Sequence, residues 1–235
     1  MPQRQKIEEM ISYKNNNGGI ASGREMSNKA FDIETKSFEI IDKEIGLHSY
    51  NESEWNIVRR VIHATADFDF AGNNLIIFHK NAIESAFQAI KNKCSIITDV
   101  DMVLSAINKK SLNNLGLRSI CNISNLELVK EARKSNKTRS QMAMRYAATE
   151  MNGGIIVIGN APTALYETLD MIKEGVAKPA LIVGIPVGFV SAPESKNELT
   201  RMEVPFITNI GRKGGSPAAA SIINAIMLLY QDKCH

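Results

Sequence analysis

The run GGIIVIGNAPTAL, Gly153 to Leu165, decides the fold class. Its β-branched stretch reads as a buried strand that ends at Gly159-Asn160. Pro162 suits the first position of a helix and Thr163 lies just inside it, so a strand runs straight into a helix. Such a junction points free backbone N–H groups at the crevice beyond the strand, where an anion could bind. The spacing is neither GxGxxG nor a Walker sequence, so dinucleotide or triphosphate binding does not follow from it. The plainer alternative is a tight strand-to-helix turn with no ligand.

Working outward, five more short β-branched runs predict buried strands, at Leu75–Phe78, Ser95–Val100, Ser119–Ile123, Ala180–Val187 and Phe206–Ile210. Helical patterns lie between them at about 80–92, 101–109, 124–133, 138–151, 161–174 and 216–230. This alternation predicts an α/β fold of three layers, α/β/α, with a mainly parallel sheet covered on both faces. Two amphipathic segments, at about 28–45 and 51–64, precede the first strand and are free to cover a sheet face or to pair with another subunit. Residues 1–27 read as a partly mobile extension, because Asn15-Asn16-Asn17-Gly18-Gly19 holds a helix poorly. Residues 28–235 read as one α/β domain.

Composition narrows the classes. The chain has 235 residues, 44% hydrophobic and 23% charged, which suits a folded globular protein and excludes a disordered or fibrous one. A net charge of +3 is too small to indicate nucleic acid or an anionic membrane as a partner. Cys94, Cys121 and Cys234 are odd in number and widely spaced, which predicts reduced thiols. The N-terminus MPQRQKIEEM lacks the apolar core of a secretory signal, and Pro179–Val190 is too short and interrupted to span a bilayer. A cytoplasmic protein is expected.

In an open parallel sheet, ligands bind beyond the carboxyl ends of the strands, so residues there take the functional reading first. In PALIVGIPVGFVSAPESK, Gly184, Pro186 and Gly188 interrupt pairing and suggest a close backbone approach to a ligand. The loop GRKGGSPAAA, Gly211–Ala220, joins Arg212 and Lys213 to three glycines and a helix start, the best local anion signature in the chain. Its plain alternative is a flexible turn with solvated charges. Six basic residues lie between Lys130 and Arg145, mostly a solvated face, but Arg139 opens a helix in Thr138-Arg139-Ser140 and could grip a carboxylate with two donors.

Of the four histidines, His235 is terminal, His48 lies in a loop and His79 follows a strand. His63 ends an amphipathic helix in RRVIHATADFDF, with Arg59 and Arg60 a turn before it; by spacing alone it also suits a semi-buried, satisfied histidine. Asp99 and Asp101 flank a strand end, but alternation sends them to opposite faces, and capping by Asp101 is the plainer account. No His/Cys/Asp/Glu set has zinc spacing and no Gly-x-Ser-x-Gly elbow occurs.

In order along residues 30–228, IETKSFEII, RRVIHATADFDF, TDVDMV, Thr138-Arg139-Ser140, GGIIVIGNAPTAL, PALIVGIPVGFVSAPESK and GRKGGS resemble the precorrin-8X methylmutase family, including its cobalt-precorrin-8 members. The resemblance implies a flavodoxin-like fold, a homodimer, and an isomerase of corrin biosynthesis that moves a methyl group from C-11 to C-12 of the macrocycle. It implies no organic cofactor and no metal site of the protein's own. It makes His63 the catalytic histidine, Ser37 a substrate-contacting serine and Arg139 a carboxylate partner. Arg60, in the same matched run as His63, and the loops at Asn160, Gly188 and Lys213 become parts of the substrate cleft.

The residues suit that chemistry. A suprafacial methyl shift needs no nucleophile, and a proton placed on the ring by one histidine eases it. A cleft rich in cations and N–H groups would hold the acetate and propionate carboxylates of the substrate over an apolar floor. The competing classes are a non-catalytic tetrapyrrole carrier, against which the intact His63 argues, and a flavodoxin-like nucleotide-binding oxidoreductase, which lacks a phosphate loop and an acidic ribose partner here.

Overall fold

Strands form at all six expected runs in a computed structural model that describes residues 28–73 and 75–233. They are β1 (Ile76–Phe78), β2 (Ser95–Thr98), β3 (Arg118–Cys121), β4 (Ile155–Ile158), β5 (Leu181–Gly184) and β6 (Phe206–Asn209). The expected extension 1–27, its hinge at Asn15–Gly19, and Cys234 and His235 lie outside the described residues. The helices are α1 (Asn28–Ile45), α2 (Glu52–Thr65), α3 (Ala82–Lys91), α4 (Asp101–Ala106), α5 (Lys109–Leu115), α6 (Leu126–Lys134), α7 (Arg139–Tyr146), α8 (Ala148–Met151), α9 (Pro162–Lys173), α10 (Ala192–Leu199) and α11 (Ser216–Lys233). A 3-10 turn covers Phe68–Ala71.

The sheet order is β1-β6-β5-β4-β2-β3, with β1 antiparallel to β6 and every other pair parallel. Without the β1 edge, the strands run in flavodoxin-like order and reverse direction of addition between β2 and β4. Side chains alternate as the pleat requires: Ile155 and Val157 join the core under α2, α3, α4, α5 and α11, whereas Ile156 and Ile158 join the core under α7, α8, α9 and α10. All four β4 residues are buried, which is why the run carries no polar position.

Three expectations about the helices need correction. The helix expected over 101–109 breaks at Ile107-Asn108, where the Asn108 side chain caps α5 and its N–H donates to Asn224 Oδ1 at 2.9 Å. The helix expected over 138–151 is likewise two, α7 and α8, sharing Ala147 as a cap. α10 was not expected: the proline-rich run hides a helix that starts after Ser191, which adopts φ +66°, and uses Pro193 in its first turn.

The reversal point is closed by a side chain. Asp99, just past β2 and 1% exposed, accepts hydrogen bonds from the N–H groups of Gly159 (3.1 Å), Asn160 (2.8 Å) and Ala161 (2.7 Å). The N–H groups expected to face a ligand after β4 are therefore already satisfied. Burial pushes the Asp99 carboxyl above its ordinary range, and those donations work against the shift. Gly159 is needed here because a Cβ would lie 2.9 Å from Ser216 Cα and from Val103 Cγ2, so it lets α11 and α4 close over the junction. Asp101 is not a cap: α4 begins after Val100, and Asp101 Oδ2 accepts from Ser124 Oγ at 2.6 Å.

Candidate active site

α2 builds the position of His63. Asn51 and Glu54 form a capping box at its start, and Ile57, Val58, Val61 and Ile62 are buried, seating the helix on α11. Ala66, at φ 52°, ends it one turn beyond. His63 falls on the solvent side of this stripe and is exposed. Its ring stands edge-on to Phe38 of α1, with centroids 5.3 Å apart and planes at 70°. Arg60 Nη1 donates to Glu34 Oε1 at 2.9 Å, and Arg59 Nη1 to Asp42 Oδ2 at 2.9 Å.

A cleft of 180 Å³ opens at His63, lined by Glu34, Arg60, Asn108, Ser111, Ser221 and Asn224 among others. An exposed imidazole in such a cleft can exchange a proton with a bound ligand, with Arg60 and Glu34 beside it as a neutral pair. Of the expected site residues, the cleft joins His63 and Arg60. Ser37 lies on α1 next to Phe38; its hydroxyl donates to Ile33 O at 2.8 Å, so its oxygen remains an acceptor. Arg139, Asn160, Gly188 and Lys213 are not among the lining residues.

The loops after β5 and β6 form a second cluster. Lys213 Nζ is held by Asp67 Oδ2 and Asp69 Oδ2, each at 2.7 Å, which gives its cation two carboxylate partners on the turn that follows His63. Gly188 N donates to Arg212 O at 3.1 Å, and the Arg212 guanidinium lies 5.4 Å from the Phe189 ring centroid. Phe189 and Val190 are exposed, an apolar surface beside these cations. Gly214 permits the approach of the two loops: at φ +158°, a Cβ there would lie 2.4 Å from Ile185 O.

Lys196, in the ESK of the long run, was given no role by the sequence. It is 1% exposed, and its Nζ donates to Asn209 Oδ1 (3.0 Å) and Lys213 O (2.7 Å), so it fixes the β6 loop from below. Burial draws its ammonium down to about 8. An apolar-looking stem inside an otherwise ordinary Glu-Ser-Lys triplet offers no sequence signal for that burial.

Arg139 is the first residue of α7 and is exposed on the opposite sheet face from α2. The basic run is mostly solvated, as expected, but two of its members are drawn inward. Lys137 Nζ (2.9 and 2.8 Å), Gln141 Nε2 (2.8 Å) and Arg145 Nε all donate to Glu167 of α9, which is 1% exposed. Thr138 Oγ1 and Thr163 Oγ1 add a link at 3.2 Å. The start of α7, and Arg139 with it, is thus fixed to α9 by a buried carboxylate that the sequence reading did not single out. The other histidines are accounted for locally: His48 stacks on Trp55 at 4.0 Å, and His79 Nδ1 accepts from Asn81 N at 3.3 Å.

No group of three or more His, Cys, Asp or Glu placed to hold a metal ion occurs among the described residues, and no described helix is long and apolar enough to cross a membrane. The fold and the exposed histidine cleft define an α/β protein whose candidate site lies on a helical layer rather than in the sheet crevice. The precorrin-8X methylmutase family model matches residues 32–229. A cobalt-precorrin-8 methylmutase of Leptospira interrogans is 46% identical over 214 residues, covering 88% of this chain and 96% of the relative. That of Priestia megaterium is 47% identical, covering 84% and 87%. The crystal structure of a precorrin-8X methylmutase from Thermus thermophilus superposes with a TM-score of 0.80 at 38% identity, covering 86% of this chain and 97% of that one. The chain belongs to the precorrin-8X methylmutase family, and is an isomerase.

The Glu167 cluster makes a pH prediction. Burial raises the Glu167 carboxyl, but Lys137 and Arg145 outweigh it and leave the group below its ordinary range. A group lowered in the folded state adds stability above the unfolded pKa of about 4.3, and this is lost as pH falls through the folded value. Glu167→Gln should cost about 1–3 kcal/mol at neutral pH and flatten the acid limb of the stability curve. Urea midpoints measured from pH 3 to 7 check this; a variant whose midpoints run parallel to the parent over that range contradicts it.

Proposed function

We propose that the chain moves a methyl group from C-11 to C-12 of a precorrin-8 type corrinoid, with His63 as the proton donor and acceptor. The observation that carries this reading is the exposed His63 imidazole at the mouth of a cleft, on a chain whose family membership fixes the reaction class. The methyl group migrates across one face of the conjugated ring, breaking its bond to C-11 as that to C-12 forms. The imidazolium lends a proton to the macrocycle and recovers one afterwards, so the product is an isomer and the enzyme is unchanged. The names of the two similar relatives support the cobalt-containing substrate, in which the metal arrives inside the ring.

Ser37 and Arg60 flank His63 as substrate contacts; Arg139, on the opposite sheet face from α2, takes a peripheral carboxylate and the loops at Asn160 and Gly188 complete the rim from the second copy of a homodimer. Lys213 holds the β6 loop to the His63 turn through Asp67 and Asp69, and contributes to the same rim from that position. A space of 180 Å³ is small beside the 300–1,000 Å³ of ordinary ligand pockets, and a corrinoid is a large ligand. A homodimer supplies the missing wall. α1 supports that assembly, since it leaves Phe31, Ile33 and Ile40 exposed while burying only Ile41 among its large apolar side chains.

Three outcomes follow. His63→Asn should keep the fold and the affinity for the corrinoid product but lose at least about a hundredfold in turnover, measured by the change in the visible spectrum. Turnover within about tenfold of the parent contradicts the assignment, given what a positioned general acid contributes. Arg139→Ala should weaken product binding by calorimetry, with Arg139→Lys recovering only part, because an ammonium lacks the planar two-donor fork. An unchanged dissociation constant at both low and high salt places Arg139 outside the site. Light scattering at micromolar concentration should return the mass of two chains; a monomer removes the missing wall from the account.

A further inference from the structure

We propose that Phe38 is a positioning residue for His63, the aromatic wall that holds the imidazole at its working angle; this rests on the reading of His63 as the proton donor. His63 is exposed in the last turn of α2, and Phe38 is its ring contact among the described residues. An unsupported exposed histidine samples several staggered rotamers, whereas proton transfer needs one. Edge-on contact at 5.3 Å and 70° removes part of that freedom without occupying a ring nitrogen.

The wall is itself braced. Arg59 and Arg60 place their guanidinium carbons 4.4 and 5.1 Å from the Phe38 centroid, so the ring meets two cations as well as the imidazole. Each cation is tied back to α1. Arg59 reaches Asp42 Oδ2 and also Asn56 Oδ1, while Arg60 reaches Glu34. Arg59 Nε is buried with no hydrogen-bond partner, on a guanidinium group that lies over the Phe38 ring. Asp42 also accepts from Trp55 Nε1 at 2.9 Å. Glu34, Phe38 and Asp42 are spaced four residues apart and share one face of α1, with the aromatic ring between two acids.

This stripe has a consequence for the neighbouring residue. Ser37 precedes Phe38 on the same turn, so the contact that orients His63 also sets the distance between Ser37 and His63. A small displacement of a catalytic group costs rate out of proportion to the change in stability, so Phe38 should act on kcat while leaving substrate binding nearly intact.

The test compares Phe38→Leu, which keeps apolar volume but removes the ring, with Phe38→Tyr, which keeps the ring. In the full-length protein, with active sites counted by product titration, Phe38→Leu should lose about tenfold or more in kcat while KM stays within about twofold, and Phe38→Tyr should stay within about threefold of the parent. Carbon-labelled histidine NMR supplies a readout that a merely structural role would not move: the three-bond couplings that report the His63 χ1 rotamer should average over several wells in Phe38→Leu and hold at one staggered value in Phe38→Tyr. A Phe38→Leu protein with a full count of active sites and kcat within about twofold overturns the proposal. Should that variant fail to fold, a missing cross-relaxation peak between Phe38 and His63 ring protons in the parent overturns it equally. Turnover by His63→Asn overturns the donor reading and this one together, whereas an inert His63→Asn beside a fully active Phe38→Leu overturns this one alone.

Discussion

The carboxylate of Asp99 is the contact on which the placement of the site depends. In a flavodoxin-like sheet, the crevice where strand order reverses is the usual seat of an anionic ligand, because backbone N–H groups converge there. Here Asp99 supplies the anion from within the chain and takes the N–H groups of Gly159, Asn160 and Ala161. The junction becomes a closed structural joint, with α11 and α4 packed directly over Gly159. The cleft at His63 lies instead in the helical layer above the sheet, between α1, α2, α5 and α11, and that is where the proposed site falls.

That layer is held together in two different ways. α2 is fixed to α11 by an apolar stripe, a robust arrangement that accounts for the four buried positions between Ile57 and Ile62. α1 is fixed to α2 by ion pairs and one aromatic ring, and joins the core through Ile41, with Phe38 and Ile45 packed against it. The exposed ion pairs contribute little net stability but fix geometry, which suits a helix carrying Ser37 beside the histidine proposed as proton donor. The outer face of α1 is left apolar and exposed, the face that the proposed homodimer would cover.

The strands were legible because buried parallel strands must be continuous β-branched runs, and those runs have no other common use in a soluble chain. His63 was legible as a candidate by its position at a helix end, and the catalytic role proposed for it rests on the family pattern. What escaped the sequence were long-range pairings. Glu167 reads as an ordinary helical acid until α7 brings Lys137 and Arg145 against it, and Lys196 reads as a surface cation until the β6 loop covers it. Phe38 reads as one position of an apolar stripe free to pair with another subunit, and it is half-buried against the core, beside two guanidinium groups and an imidazole. α10 was missed for a local reason, since a run of Gly, Pro and Ser conceals a helix that carries a proline in its first turn.

The most direct measurement is a structure of the protein with the corrinoid product bound. The account predicts the C-11 to C-12 edge of the ring in the α1–α2 cleft, with a His63 ring nitrogen within direct or one-water hydrogen-bond reach and Phe38 still edge-on to the imidazole. A macrocycle lodged over the β2–β4 crevice, with Asp99 displaced from Gly159–Ala161 and His63 left in solvent, would contradict it.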